Sequence, residues 1–247
     1  MRHGKRNILR LALATLALAL LVGAVQELRR AGETAVFAPE RLSGERLIID
    51  AGHGGEDGGA TSAAGTVEQA INLAIAQKVD QLAGLYGVPT LLLRSDENSL
   101  HDEDAKTLRE QKRSDLQNRA KIVNDTEHGI LLSIHQNHYS SPRYSGAQVF
   151  YGPVDGSQAW AVHTQELLRR TLDAENARQA AAISKDIYLM AHVRCPAILV
   201  ECGFLSNPAE DALLCSPDYQ LKIAGALLGA YLTLTPDIVD LEGNIAS

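Results

Sequence analysis

Four side chains in this sequence have the chemical types that metal-assisted hydrolysis needs. His53 lies in a glycine-rich stretch, Glu68 follows that stretch, and His135 and Glu201 each come directly after a short apolar run. Two imidazoles and a carboxylate are a common zinc ligand set that leaves a position for water. We therefore predict a Zn²⁺ site made by His53, Glu68 and His135. A second carboxylate can move the proton from water to the leaving group, and Glu201 suits that role. The residues thus predict a metallohydrolase.

Each of these residues, taken alone, also has an ordinary explanation. A histidine in a glycine-rich loop or at a strand end is often simply exposed, and an acid such as Glu68 near a helix start stabilises the helix dipole. Glu201 is harder to explain in this way, because a carboxylate directly after five apolar strand residues needs a partner. The metal-site hypothesis therefore depends on the combination rather than on any one residue.

Short apolar runs alternate with segments of helical periodicity along the body of the chain. The runs predict buried strands at 46–50, 88–93, 129–134 and 196–200, and an edge strand at 147–151. The periodic segments predict helices at 66–86, 111–125, 157–172, 208–214 and 217–234, the first with a capping box made by Thr66 and Gln69. Such alternation is typical of an α/β domain with a mostly parallel sheet covered by helices on both faces. The state of residues 173–187 is left open.

The predicted strands should bring the four residues together. Ligands bind in open α/β sheets outside the carboxyl ends of the strands. The first strand ends just before His53, the third at His135 and the fourth at Glu201. Glu68 lies in the first turn of the helix that leaves the His53 loop, so it can face the same edge.

The N-terminal segment differs from the rest of the chain in charge and hydropathy. Residues 1–30 carry six Lys or Arg and one Glu around an uncharged apolar stretch at 11–25. That pattern predicts a signal peptide or an N-terminal membrane anchor, and the two alternatives stay open. Residues 31–44 read as a linker, 45–235 as the catalytic domain and 236–247 as a C-terminal tail. We expect export, and contact with a membrane only through the N-terminal segment.

The acidic body and the sparse cysteines exclude some classes of function. Beyond residue 30 the chain has 17 basic and 29 acidic residues, so we predict no nucleic-acid partner. The three cysteines have no metal-binding or redox spacing, and we interpret them as small buried apolar residues. One disulfide among Cys195, Cys202 and Cys215 stays open.

Four sequence blocks resemble the zinc-dependent N-acetylmuramoyl-L-alanine amidases of the Amidase_3 type. The blocks are IIDAGHGGEDGGA, VEQAINLA, LLSIHQN and PAILVECGFLSNPAE, in the family's order, and the likeness extends from about Leu47 to Leu234. The resemblance implies a twisted six-stranded sheet and hydrolysis of the amide between N-acetylmuramic acid and the L-alanine of the stem peptide. It assigns one zinc ion per domain to His53, Glu68 and His135, and the acid/base role to Glu201.

The resemblance also implies a substrate and a cellular context. The substrate would be the glycan strand and stem peptide of peptidoglycan, with Arg94, Asn137 and Asn207 as candidate contacts. The segment KDIYLM and the lone catalytic domain are most similar to the germination-specific branch, which acts in forming the muramic-δ-lactam of spore cortex and can depend on a partner lipoprotein. That implies action in the cell wall or at the outer face of the membrane, in a spore former between forespore and mother cell. Ala51, Gln136 and His138 depart from the usual family residues, and the latter two could alter the groove beside the metal.

Two other functions remain open on the sequence. One is a catalytically inactive peptidoglycan-binding or regulatory domain, although all four expected residues are present. The other is a zinc carboxypeptidase acting on the stem peptide. It would need a cation for the terminal carboxylate, and Arg94, Arg119 and Arg194 are available by sequence.

Overall fold

The computed structural model describes residues 45–234, which form a central sheet with helices on both of its faces. Within that range there are six strands and six helices. The strands are β1 (Arg46–Ala51), β2 (Thr90–Leu92), β3 (Gly129–Asn137), β4 (Gln148–Tyr151), β5 (Ala181–Ala182) and β6 (Ala197–Phe204). The helices are α1 (Glu68–Leu85), α2 (Leu108–Asp125), α3 (Ser157–Leu172), α4 (Tyr188–His192), α5 (Pro208–Leu214) and α6 (Pro217–Leu232).

The sheet is mostly parallel, as predicted. Its strand order is β2-β1-β3-β6-β4-β5, and only the β4–β6 pair is antiparallel among these described strands. The three central strands β1, β3 and β6 are nearly continuous apolar runs, because both of their faces are covered. This confirms the six-stranded α/β fold.

Two apolar layers hold the helices against the sheet. Alternate strand residues such as Leu47, Leu132 and Val200 pack with α1, α3 and α6 on one face. The intervening residues, such as Ile48 and Leu199, pack with α2 and α4 on the other face.

The polar residues of the central strands share one face of the sheet. Asp50, Ser133 and Glu201 follow the alternation of Ile48, Leu131 and Leu199, so they face the α2 side. His135 lies two residues beyond Ser133 and faces that side as well. The predicted site residues of β3 and β6 therefore project from the same face.

Several boundaries differ from the predictions for identifiable reasons. The predicted capping box at Thr66 is wrong. The N-cap of α1 is Val67, which makes no side-chain capping bond. The first two N–H groups of the helix donate instead to the carbonyls of Ala60 and Gly58. Helix α2 begins at Leu108, where Thr107 and Glu110 make a capping box that the charged sequence concealed.

The predicted edge strand is interior to the sheet. β4 pairs with β6 on one side and with β5 on the other, so β5 is the edge. A strand of two residues is too short to show the alternation of apolar and polar residues.

The three cysteines are free thiols, and Cys215 is exposed, so the prediction of burial is wrong for that residue.

The predicted signal or anchor at 1–30, the linker at 31–44 and the tail at 236–247 lie outside the described residues. Among residues 45–234, no helix has the length and hydropathy needed to cross a membrane.

Candidate active site

Three of the predicted residues meet at the carboxyl edge of the sheet. His53 follows the end of β1, Glu68 is the first residue of α1, and His135 lies in β3 two residues before its end. Their possible ligand atoms all lie within 4.8 Å of one another. The sequence patterns predict that strands end at His135 and Glu201, but β3 and β6 continue past them to Asn137 and Phe204.

Glu68 is the centre of this cluster. Its Oε2 lies 3.3 Å from His53 Nε2, and its Oε1 lies 3.0 Å from His135 Nδ1. The carboxylate is only 3% exposed and also accepts hydrogen bonds from the backbone N–H groups of Ala60 and Gln136. Burial would raise the pKa of Glu68, but the bonds to His135 and His53 outweigh it and hold that pKa well below its usual range. Glu68 is therefore a fixed anion.

His53 is held in one orientation by the loop around it. Its backbone has φ 65°, a left-handed conformation that costs a non-glycine residue roughly 1–2 kcal/mol. Asp57 Oδ2 lies 2.9 Å from Nδ1, which leaves Nε2 facing Glu68. Burial lowers the pKa of His53, but the bonds to Asp57 and Glu68 prevail and raise it to about 9. A carboxylate bonded to the far nitrogen of a histidine is the usual support for a metal ligand.

A buried ion cluster under the site supports the same loop. The Arg119 guanidinium on α2 binds Asp50 at 2.5 Å and Asp115 at 2.9 Å, and it donates to the carbonyls of Ala51 and His53. Ser133 adds a 2.6 Å bond to Asp50. The carbonyl bond to His53, 2.7 Å long, ties the strained residue directly to α2.

Two glycines let the ligand side chains approach each other. A Cβ on Gly52 would lie 2.2 Å from the imidazole of His135. A Cβ on Gly59 would lie 2.6 Å from both Glu68 Oε2 and the His53 ring. The glycine-rich composition of the loop therefore has a steric purpose at these two positions, since any side chain would displace a candidate ligand.

Glu201 differs from the other acids of the site. It pairs in register with His135 on the neighbouring strand, so the two side chains project from the same face. Its Oε2 is buried and has no hydrogen-bond partner among residues 45–234. Burial raises the pKa of Glu201 to about 7, with the electrostatic interaction with His135 acting in the opposite direction. A carboxyl group with such a pKa is suited to exchanging protons near neutral pH.

The cluster fits a zinc ion on the chemistry and spacing of its donors. Ligand atoms at 2.0–2.2 Å from one tetrahedral ion lie roughly 3.3–3.6 Å apart. The two Glu68 oxygens each approach one imidazole nitrogen, at 3.3 Å and 3.0 Å, and one ligand atom from each of the three residues lies within 4.8 Å of the others, so the three donors converge on one place. Two nitrogens, one oxygen and a nearby carboxyl outside the set match the composition of catalytic zinc sites. His53, Glu68 and His135 are thus a possible metal-binding triad.

The candidate substrate contacts have different positions. Arg94 is 3% exposed and donates to the carbonyls of Ala51, Gly52, Gln69 and Asp96, so its side chain supports the loop instead of reaching out to a substrate. Asn207 is the N-cap of α5, where its Oδ1 accepts from two N–H groups and its Nδ2 donates to Tyr144 O, so it too has a structural use. Asn137 lies part-exposed, two residues beyond His135 on β3.

Sequence reasoning missed the supports Asp57, Asn72 and Arg119. Asn72 donates to both Glu68 Oε1 and Gly52 O, and it is fully buried on α1. Its signal was available, because Glu68 and Asn72 are polar residues four apart on an otherwise apolar helix face. Asp57 and Arg119 had no comparable signal, since their partners are distant or lie in an irregular loop.

Comparisons with known proteins agree with this geometry. A sequence profile of the family described as N-acetylmuramoyl-L-alanine amidase (Amidase_3) matches residues 47–231. The germination-specific N-acetylmuramoyl-L-alanine amidase of Bacillus subtilis is 38% identical over 187 residues, which are 75% of this chain and 78% of that protein.

Solved structures give the same result. The CwlD amidase of Clostridioides difficile, in complex with the GerS lipoprotein, is similar with a TM-score of 0.73 and 38% identity, over 76% of this chain and 96% of that one. An N-acetylmuramoyl-L-alanine amidase of Clostridium difficile 630 is similar with a TM-score of 0.67 and 25% identity, over 77% of this chain and 96% of that one. Because the family profile covers residues 47–231 and one relative is 38% identical over 75% of this chain, the chain belongs to the N-acetylmuramoyl-L-alanine amidase family.

Proposed function

We propose that this protein hydrolyses the amide between N-acetylmuramic acid and L-alanine in peptidoglycan, with one zinc ion held by His53, Glu68 and His135. The observation that carries the proposal is the buried, unpartnered Oε2 of Glu201 on the sheet face of His135. A buried polar oxygen without a partner is costly, and it is expected where substrate or water completes the bonding. An inactive binding domain would have no use for such a group.

In the proposed reaction, zinc when bound acts as a Lewis acid and makes water a nucleophile at neutral pH. Glu201 takes the proton from the attacking water and delivers it to the nitrogen of L-alanine as the amide bond breaks. His53 is kept in place by Asp57 and by Arg119, so the ligand geometry does not depend on substrate. The products are a muramic acid carboxylate and a stem peptide with a free amine.

The carboxypeptidase alternative lacks a suitable cation among the three arginines considered. Arg94 and Arg119 are buried and bonded to structural partners. Arg194 is exposed but precedes β6, whereas Glu201 lies towards its carboxyl end. Strand β6 begins at Ala197, so its four steps to Glu201, about 13 Å at 3.3 Å per residue, lie between Glu201 and the segment that carries Arg194.

Mass spectrometry of purified peptidoglycan incubated with the full chain and zinc tests the proposal, beside a chelated control. Intact stem peptides should appear only with zinc. Release of single amino acids would identify a carboxypeptidase instead. Absence of any release, with spore-cortex peptidoglycan and a lipoprotein partner also supplied, would indicate a non-catalytic binding domain.

A role in spore-cortex maturation and a lipoprotein partner form the finer part of the proposal. The relative from Bacillus subtilis is named as germination-specific, and the similar structure from Clostridioides difficile contains a lipoprotein. Muropeptide analysis of spores lacking the gene should reveal loss of muramic-δ-lactam. Unchanged δ-lactam would contradict the cortex role without affecting the amidase activity.

We also infer that the domain at 45–235 acts outside the cytoplasm, delivered by residues 1–30 as a signal peptide or anchor and separated from them by the linker at 31–44. The support is the basic and then apolar sequence of the N-terminal segment, together with a substrate that lies in the cell wall. N-terminal sequencing of membrane and secreted fractions distinguishes cleavage from anchoring. A protein found only in the cytosol would contradict export.

A further inference from the structure

A group of aromatic side chains lies just beyond the proposed catalytic residue. Tyr139 and Tyr144 meet edge to face with ring centroids 4.8 Å apart, and Tyr144 stacks on Phe204 at 6.2 Å. The Arg178 guanidinium lies over the same Phe204 ring at 4.5 Å. Aromatic residues make up only 4% of the chain, so three of them in contact at one place are a local concentration. These four residues are called the tyrosine platform below.

A β-bulge turns the platform towards the active site. His135 pairs with Glu201, but Asn137 pairs with Phe204, so two steps along β3 correspond to three along β6. The extra residue reverses the alternation, and Phe204 therefore faces the same side as His135 and Glu201. Phe204 accordingly belongs to neither apolar core layer, although it is only 3% exposed.

The platform is linked to the strand that neighbours the acid/base residue. Gln148 on β4 pairs in register with Glu201, and Arg178 donates to Gln148 Oε1 at 3.1 Å. Two steps of strand, about 7 Å, separate His135 from Asn137 beside Phe204. A substrate whose amide reaches Glu201 would therefore extend over the platform.

The tyrosines are exposed yet held in position. Tyr139 is 53% exposed and Tyr144 is 46% exposed. Their loop is fixed by Tyr139 N donating to Ser206 Oγ, by Asn207 Nδ2 donating to Tyr144 O, and by Gly146 N donating to Glu210 Oε1. A pre-organised surface costs little entropy on binding, so the two rings are suited to a ligand rather than to core packing.

We propose that the tyrosine platform binds a sugar ring of the glycan strand, adjacent to the muramic acid whose amide is cut. The inference rests on the proposed function, because that reaction supplies a substrate with sugars covalently next to the scissile bond. A tyrosine ring offers a flat apolar face and a polar hydroxyl, which match the C–H face and the hydroxyl groups of an amino sugar. The platform thus determines how the glycan, rather than the peptide, is positioned.

A protein partner is the competing occupant of this surface. It fits less well, because Tyr144 stacks on Phe204, which faces the same side as Glu201 three residues away, so a partner seated there would crowd the approach to Glu201. A lipoprotein that assists catalysis has to leave that approach open to peptidoglycan.

The experiment measures binding of the full chain to glycan strands freed of their stem peptides, by calorimetry. These strands lack the scissile amide, so wild-type protein binds without turnover and no zinc is required. Tyr144→Ala and Tyr144→Leu remove the flat ring, whereas Tyr144→Phe retains it. Tyr86→Ala is the matched control, since that residue is 50% exposed at the far end of α1, roughly 27 Å from Glu68 along an 18-residue helix.

We expect the Ala and Leu variants to bind glycan about 3–10-fold more weakly and the Tyr86 control to bind at the wild-type level. The Phe variant should lie between wild type and Ala, because it keeps the flat face and loses the hydroxyl. Binding of free stem peptide should stay unchanged, and KM for intact soluble strands should rise while kcat is maintained. Thermal unfolding verifies folding, and Tyr139→Ala replaces any Tyr144 variant that unfolds.

Two results would overturn the platform's role: no glycan binding by wild type, or equal glycan binding by all variants. Failure of the proposed function would appear separately, as wild-type protein that binds glycan but releases no stem peptide.

Discussion

The two sides of the active site are built in opposite ways. The β1–α1 side, meaning residues 51–72 with their supports on α2 and Arg94, is closely braced. Arg94 and Arg119 make four hydrogen bonds each, mostly to the backbone that carries His53 and to the acids beneath it. The β6 side, meaning residues 137–147 and 201–207, presents an unpartnered Glu201 oxygen and two half-exposed tyrosines.

This difference is what the two proposed tasks, holding a metal and processing a substrate, would require. A metal ligand set is useful only if its donors keep their spacing before substrate arrives, which demands fixed side chains. A proton carrier and a substrate surface need unfilled bonding capacity, because their partners arrive with the substrate. Changes on the β1–α1 side should therefore alter metal binding, and changes on the β6 side should alter turnover or substrate affinity while zinc stays bound.

The largest expected effect is that of His53→Ala, which should abolish both zinc binding and stem-peptide release. The variant leaves Glu68 and His135 as a two-ligand set, and three protein ligands are the norm for catalytic zinc. Metal analysis after dialysis and the peptide-release assay measure the two losses. His192→Ala, at an exposed histidine on α4, is the control and should retain both properties. A His53→Ala protein that holds one zinc ion would refute the assignment.

Glu201→Gln should lower turnover without lowering zinc content, and so distinguish the β6 side from the β1–α1 side. The amide cannot carry the proton, so turnover should fall by about 10²–10⁴-fold, while the zinc content stays at the wild-type level. Side-chain size is almost unchanged, and an uncharged group suits this buried position. Stem-peptide release and metal analysis of one preparation give both numbers. A near-normal rate would remove Glu201 from the acid/base role, and loss of zinc would place it among the ligands.

The sequence predicts the strands and the four site residues better than it predicts the contacts that support them. The apolar runs and helical periods locate five of the strands and bring His53, Glu68, His135 and Glu201 to one edge, because the direction of parallel strands decides where their carboxyl ends lie. The two-residue β5 carries no detectable alternation, which is why the pattern makes β4 an edge strand.

Local sequence patterns do not predict the residues that support the site. Arg119 reaches Asp50 across 69 positions of sequence, and no periodicity within α2 indicates that partner. The bulge that turns Phe204 towards Glu201 depends on the register between β3 and β6, which a single chain's pattern does not specify. The charge of Arg94, which suggests a substrate contact, is visible in the sequence, whereas its burial is visible only in the fold.

Asp57→Asn tests the contacts that hold His53 in place on the β1–α1 side, and its expected effect is smaller than that of Glu201→Gln. Loss of the carboxylate that orients His53 Nδ1 should weaken zinc affinity by about 10–100-fold, since that is the usual cost of removing such a support. Competition with a chromophoric chelator measures the affinity, and turnover should recover at saturating zinc. Asp125→Asn, an exposed acid paired with Lys121 on α2, is the control and should bind zinc normally. Unchanged affinity in Asp57→Asn would mean that Arg119 and the loop backbone alone fix His53.

Asn207 offers the smallest and most specific comparison, because one side chain caps α5 and anchors the Tyr144 loop. Asn207→Ala removes the two capping bonds and the bond to Tyr144 O, and it should lower the free energy of unfolding by about 0.5–2 kcal/mol. Asn207→Ser retains a capping oxygen but is too short to reach Tyr144 O, so most of that stability should return in chemical denaturation. Its glycan affinity should nevertheless stay below wild type, because Tyr144 has lost its tether. If the Ser variant restores stability and glycan affinity together, the loop is positioned by Ser206 and Glu210 instead, and Asn207 acts only as a helix cap.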